Sequence, residues 1–150
     1  MEKINILSKY KEFNAHWTPH SMAELNGQQV LLAKVKGSFV WHSHKEEDEL
    51  FHVVKGKLKM AFRDKSVEVF PGEMIVVPKG VEHRPSADEE TWILLFEPIS
   101  TKHTGEVIAE ITKNKYAYFN YLDPLSLADK IQYVMLDKSI QKKMMSHDNG

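Results

Sequence analysis

Cysteine is absent from the 150 residues of this chain. That absence excludes disulfides, thiolate catalysis and cysteine-ligated zinc, and it fits a reducing compartment. The chain also lacks an apolar run of signal-peptide length near residue 1, and it has no apolar span of about 18 residues that could cross a membrane. We therefore expect a soluble, cytoplasmic protein with no membrane partner.

An excess of positive charge is missing too. The chain has 20 basic and 21 acidic residues, and its only arginines are Arg63 and Arg84. Nucleic-acid binding usually rests on a cationic surface rich in arginine and lysine. The segment before Met22 is also too short for a helix-turn-helix, so we expect no nucleic-acid partner. The length and the 42% hydrophobic content fit one domain with a single core.

The middle of the chain has the pattern of short strands separated by turns. Asn26-Gly27 lies between two apolar runs and predicts a type I′ hairpin. Apolar and polar residues alternate over 57–62 and 66–70, whereas 74–77 and 92–96 are continuously apolar and predict cover on both faces. Strands about ten residues apart with Gly/Pro turns predict an all-β antiparallel sandwich or small barrel.

The two ends have a different texture. Apolar residues recur every three positions near the N-terminus and predict a short amphipathic helix, at Ile4, Leu7, Tyr10 and Phe13. We assign 1–20 to this helix and its lead-in, 21–107 to the β-domain and 108–150 to a C-terminal extension. Within the extension, a cap at Asp123 and a stripe from Leu127 to Met135 predict a helix over 123–144.

Four side chains of metal-ligating type stand out against this pattern. His42 and His44 are two apart in an extended segment, so their imidazoles project in the same direction. Glu49 opens the next apolar strand, and His83 follows the turn Pro78-Lys79-Gly80. Three neutral nitrogens and one carboxylate suit Fe, Mn, Ni, Co, Cu or Zn. We therefore predict one divalent transition metal per chain.

The spacing of these residues resembles that of the two sequence motifs of the cupin superfamily. The first motif has HxH, a Glu five positions later and a Gly seven positions after that, as in His42, His44, Glu49 and Gly56. The second motif, G(x)5PxG(x)2H, is matched by Gly72, Pro78, Gly80 and His83. The joint match covers about 37–83, with flanking strands from about 25 to 107, and it is closest to small single-domain cupins of unassigned biochemistry.

The resemblance implies an antiparallel double-stranded β-helix, or jelly-roll barrel, with the short N-terminal helix and the C-terminal helical extension outside it. It also implies that His42, His44, Glu49 and His83 ligate a metal inside the barrel. Four protein ligands leave up to two positions on a six-coordinate ion, and the net positive centre favours a small oxygen-rich molecule, anionic or polyhydroxylated. Cupins commonly pair, so we expect a homodimer.

Two functions follow from this resemblance. The first is a metal-dependent dioxygenase or isomerase, and the second is a non-catalytic module that holds a metal and a ligand. Where the second motif often ends in Asn, this chain has Ala87, which cannot hydrogen-bond a substrate and slightly favours the non-catalytic function. Four residues, not the usual five, separate Gly37 from His42. A third hypothesis is an interaction protein built on the apolar stripe of the extension.

Strand alternation also predicts the walls of the pocket. Val40 shares the face of His42, Phe51 shares the face of Glu49, and the next strand contributes Met60 or Phe62. His52 has the opposite parity to Glu49 and is predicted to lie outside the site. The remaining histidines lack partners at matching spacings and are interpreted as structural, namely His16, His20, His103 and His147.

Overall fold

The protein was analysed as a computed structural model that describes residues 1–105 and 117–118. It contains one short helix, α1, and eight strands in the described part. Their bounds are α1 Ile6–Tyr10, β1 His20–Leu25, β2 Gln28–Ser38, β3 Glu49–Lys55, β4 Leu58–Phe62, β5 Ser66–Val69, β6 Met74–Val77, β7 His83–Pro98 and β8 Ala117–Tyr118. The predicted helix over 123–144 lies outside the described residues.

The long strand β7 is the centre of the sheet. Its first half pairs with β4, its second half pairs with β3, and its other edge pairs with β2 over most of its length. The strand order is β5-β4-β7-β2-β1-β8, and β3 joins β7 to β6. Every pairing is antiparallel except the short one between β1 and β8. The predicted all-β antiparallel fold is confirmed.

The core lies on the inner face of this sheet. Alternate residues over most of β3 and β7 are buried, including Phe51, Val53, Ile93 and Leu95. On β2, Leu31, Ala33 and Val35 belong to this core, and the two residues between them are buried as well. Since alternate side chains of a strand point to opposite faces, one apolar face per strand is enough to fill the interior. Glu49 and His83 lie on strands that contribute to this same interior.

The predicted hairpin at Asn26-Gly27 is confirmed. Leu25 pairs with Gln28, and the two residues between them have φ values of 50° and 74°. Both positive angles are those that a type I′ turn requires, and Asn and Gly adopt them at low cost.

The prediction for the N-terminal helix is right in kind and wrong in detail. The helix is only five residues long, and Ile4 and Leu7 are 42% and 57% exposed. Tyr10 and Phe13 are buried, and the Tyr10 hydroxyl donates to the Ile93 carbonyl at 2.5 Å. A helix of a single turn can direct only its last residues toward the sheet. The rings of Tyr10 and Phe13 are therefore the ones that cover the sheet.

Strand β6 also differs from its prediction. Its continuous apolar run predicts cover on both faces, yet Met74 and Val76 are 64% and 51% exposed. Only Val77 is fully buried. In the part of the chain that the structure describes, β6 pairs with β3 alone, so one face and one edge of β6 are open. No helix among the described residues is long and apolar enough to cross a membrane.

Candidate metal centre

The two halves of the candidate site meet through a backbone pair between His42 and His83. The His42 N–H donates to the His83 carbonyl at 3.1 Å, and the His83 N–H donates to the His42 carbonyl at 2.9 Å. Residues exchanging both bonds lie directly opposite each other, so their side chains emerge on the same side of the pair. Their ring centroids are 4.3 Å apart. Two residues 41 positions apart in sequence are thereby adjacent at one point.

The other two candidate ligands are placed by β3 and by the turn that follows β6. Glu49 pairs with Val77 at the start of β3, so the carboxylate lies beside the Pro78–Gly80 turn. The Gly80 N–H donates to the His44 carbonyl at 2.7 Å, which attaches the same turn to the HxH segment. The segment and the turn hold each other in position, and both are attached to the sheet.

The structure brings all four predicted ligands together. Each side chain offers one ligand atom, and these atoms all lie within 4.8 Å of one another. An ion about 2.1 Å from each ligand would hold opposite ligands about 4.2 Å apart, which matches this spread. All four residues are buried, with exposures between 1% and 6%. They form a cluster that could hold a metal ion.

The hydrogen bonds of the cluster leave its lone pairs directed inward. Nδ1 of His42 donates to the Val40 carbonyl and Nδ1 of His83 donates to the Val81 carbonyl, both at 2.9 Å. A carbonyl can only accept, so each Nδ1 carries a proton, and in the neutral imidazole Nε2 is then left with a free lone pair. Such second bonds fix the tautomer of a metal-ligating histidine.

The atoms that face one another do not satisfy one another. Nε2 of His44 and Nε2 of His83 lie 3.1 and 3.4 Å from Oε2 of Glu49. None of the three buried atoms has a hydrogen bond of acceptable geometry to any described residue. Buried donors and acceptors left without partners are costly, and here an ion would be the common partner. The donor set therefore fits a divalent transition metal.

The protonation states also fit a cation. Burial lowers the pKa of His42 to about 4, with the His83 charge acting in the same direction, so its imidazole is neutral near pH 7. Burial alone would raise the pKa of Glu49, but its contacts with His44 and His83 outweigh burial and hold that pKa below its ordinary value. The neutral imidazole of His42 and the ionised carboxylate of Glu49 are the forms that bind metal.

A cavity opens onto one side of the cluster. About 370 Å³ of empty space lies there when the open solvent at its mouth is counted. His42 and Glu49 line it, whereas His44 and His83 do not. A ligand would therefore reach an ion in the cluster from the side of His42 and Glu49.

The predicted pocket residues are only partly those that line this cavity. Phe51 lines it, as expected from its parity with Glu49. Val40 does not, because residues 39–41 lie outside any regular strand and the alternation does not extend back from His42. Phe39 lines the cavity in its place, 5.2 Å from the His42 ring. Met60 lies in the fully buried core and Phe62 packs against that core.

His103, interpreted from the sequence as structural, also lines the cavity together with Trp17, whereas His52 stays outside the cluster as predicted. Trp17 reaches the cavity from the lead-in before β1, and His103 reaches it from the segment after β7. Neither has a local sequence pattern that could have placed it there, because both come from irregular segments. His52 lies outside the four-residue cluster.

Comparison with known proteins agrees with this geometry. Residues 29–96 match the family model described as a cupin domain. A Bacillus subtilis (strain 168) protein, the uncharacterized protein YdbB, is 37% identical over 82 residues, which are 54% of this chain and 70% of the relative.

Two solved structures are also similar. One is a cupin-2 domain containing protein from Shewanella frigidimarina NCIMB 400, with 50% identity and a TM-score of 0.63 over 63% of this chain and 93% of that one. The other is protein NMB1881 from Neisseria meningitidis, with 33% identity and a TM-score of 0.60 over 65% and 99%.

An antiparallel β-fold whose interior gathers three histidines and one glutamate defines a β-barrel protein with a candidate metal centre. The chain belongs to the cupin family. The resemblance seen in the two motifs is thereby confirmed, and its four ligand positions are the four residues that the structure brings together.

Proposed function

We propose that the chain binds one divalent transition metal through His42, His44, Glu49 and His83, and that it acts there on a small oxygen-rich anion. The observation that carries this proposal is the convergence of buried ligand atoms that have no other described partner. Such an ion would supply a positive centre with open positions facing the cavity. One carboxylate only partly neutralises a divalent charge, so anionic oxygens are favoured.

The cavity lining bears on the choice between dioxygenase and isomerase. Of the twelve described residues that line the cavity, nine are apolar. Dioxygen is itself apolar and enters such a space at little cost, whereas an isomerase acting on a polyhydroxylated sugar would need a partner for each buried hydroxyl. We therefore propose dioxygenase chemistry ahead of isomerase chemistry, with a non-catalytic binding module as the alternative.

Oxygen uptake tests the catalytic part of this proposal. Protein reconstituted with Fe(II) and offered a panel of diketones, hydroxy acids and catechols is expected to consume oxygen with at least one class, as followed with an oxygen electrode. His42→Ala protein, treated in the same way, serves as the control and should consume none above background. Metal and ligand binding without uptake across the panel would instead support the non-catalytic module.

We also propose that the chain forms a homodimer, with the open face of β6 in the interface. A single chain leaves Met74 and Val76 exposed, although their strand has the composition of one covered on both faces. Light scattering is expected to give about twice the chain mass of 17.4 kDa. Met74→Glu should shift the population toward monomer, because it would bury a charge at the interface.

Leu25→Glu is the matched control, since Leu25 is 45% exposed at the β1–β2 hairpin, away from β6. This variant should leave the mass unchanged. A wild-type mass of about one chain at micromolar concentration would contradict the dimer. If Met74→Glu left the dimer mass unchanged, the interface would have to lie elsewhere than at β6.

A further inference from the structure

The cavity beside the metal cluster has a mostly hydrocarbon wall with few polar groups. Its only polar lining residues, within the described ranges, are His42, Glu49 and His103. Two of these belong to the cluster, so a bound ligand could meet just one further polar side chain. Each hydroxyl of a polyhydroxylated ligand left unpaired in this space would cost about 1–3 kcal/mol. The lining therefore selects against sugars and their acids.

Part of the cavity wall is built from aromatic rings. Trp17 stacks on Phe39, with ring centroids 4.8 Å apart and planes 28° from parallel. Phe39 in turn meets the edges of His42 and His103, at 5.2 and 5.0 Å. Flat aromatic walls favour flat apolar partners, because stacked and edge-to-face ring pairs add attraction beyond the area that they bury.

Trp17 is held in an unusual backbone conformation that fixes its ring on this wall. Its φ is +54°, a left-handed value that side chains other than Gly, Asn and Asp rarely adopt. Its backbone N–H donates to the Lys34 carbonyl and its indole N–H donates to the Lys36 carbonyl, both at 2.9 Å. The bonds to β2 hold the ring in a strained position, and strain of this kind is concentrated at ligand sites.

His103 completes the wall. It belongs to the segment after β7, and this segment lies so close to the HxH segment that a Cβ on Gly105 would overlap the Ser43 carbonyl oxygen. Thr101, His103 and Thr104 are all buried there. The imidazole is thus placed on the cavity wall next to Phe39.

We infer that the site takes a compact acid that carries one aromatic ring or a similar apolar group. Its head oxygens would face the ion beside His42 and Glu49, and its ring would lie against Trp17 and Phe39. This inference rests on the proposed metal site.

Three 2-hydroxy acids test the inference because they share one chelating headgroup and differ only in the rest of the molecule. They are mandelate with a phenyl ring, glycolate with no substituent and gluconate with a polyhydroxylated tail. Titration into Co(II)-loaded protein, followed calorimetrically and through the visible Co(II) spectrum, should show mandelate binding at least tenfold more tightly than glycolate or gluconate. Equal affinities, or tighter binding of gluconate, would overturn the ligand class.

Trp17→Ala tests where the ring binds. This variant should weaken mandelate binding at least fivefold and leave glycolate binding and Co(II) affinity unchanged. Trp41→Ala is the matched control, because Trp41 adjoins a ligand in sequence but lies under the Arg63 guanidinium, 4.0 Å away, rather than in the cavity. If mandelate binds selectively and Trp17→Ala does not change that binding, the placement of the ligand ring against Trp17 would be overturned.

The Co(II) titration without any acid separates this inference from the metal proposal. Failure of the wild-type protein to bind Co(II) would overturn the metal site and the ligand class with it. Co(II) binding without preference among the three acids would overturn the ligand class alone.

Discussion

His42→Ala protein is expected to lose its metal ion. The substitution removes one of the four buried residues that would ligate the ion. The three that remain cannot complete the same coordination geometry. A ligand that binds only the folded state adds RT ln(1 + [L]/Kd), about 2.7 kcal/mol at a hundredfold excess over Kd. The variant should therefore lose the melting-temperature rise that added metal gives the wild-type protein. Elemental analysis of the purified protein and thermal melts with and without chelator measure both effects.

His52→Ala is the matched control for this prediction. His52 lies three residues after Glu49 on β3, pairs with Met74 of β6 and is not part of the cluster. Its variant should retain the ion and the response to chelator. If both variants kept the metal, or both lost it, the result would contradict the assignment of the ligands. That assignment is based on strand alternation and on the buried cluster.

The metal cluster could be predicted from sequence because each of its parts has a local geometric cause. His42 and His44 share a side because they are two apart in an extended segment, and Glu49 and His83 occupy motif positions that fix where a strand begins. The structure needs only the backbone pair between His42 and His83 and the contact between His44 and Gly80 to bring these parts together. Spacing along the chain therefore contained most of the information.

The pocket walls could not be predicted in the same way. The alternation that selected Val40 requires a regular strand, and residues 39–41 are irregular, so Phe39 takes the inward position. Trp17 and His103 are brought to the cavity by segments that flank β1 and β7, far from the motifs in sequence. No local period encodes a contact of that kind. It depends on where irregular segments pack once the sheet has formed.

Strand β6 illustrates a third kind of difference. Its apolar run predicts a strand covered on both faces, and the described chain covers one. A composition pattern reports the total apolar area that a strand would bury, not which molecule covers it. The exposed residues Met74 and Val76 are the reason that a second copy of the chain enters the proposal.

Gly56→Ala is expected to destabilise the fold more than a glycine-to-alanine change at a position where the added Cβ enters open space. Gly56 joins β3 to β4 with a φ of +91°, and an added Cβ would lie 2.9 Å from the Cα of Thr91 and overlap its Oγ1. The neighbour is backbone of the central strand β7, which cannot move freely. The left-handed conformation costs about 1–2 kcal/mol for alanine, and overpacking adds about 1–3 kcal/mol.

The Thr91 hydroxyl makes this contact sensitive. It accepts from the Lys57 N–H at 3.1 Å and lies within hydrogen-bond distance of the Lys57 and Glu89 carbonyls, so it ties the β3–β4 turn to β7. Gly37→Ala is the matched control, because Gly37 has a similar φ of +80° and no described atom within 4 Å of the added Cβ. Urea unfolding in the presence of chelator, which removes any contribution from metal, should show a loss of about 1–2 kcal/mol for Gly37→Ala and a loss larger by at least about 1 kcal/mol for Gly56→Ala. Equal losses would mean that backbone conformation alone selects glycine at both positions, and that the close packing of the β3–β4 turn on β7 contributes nothing to stability.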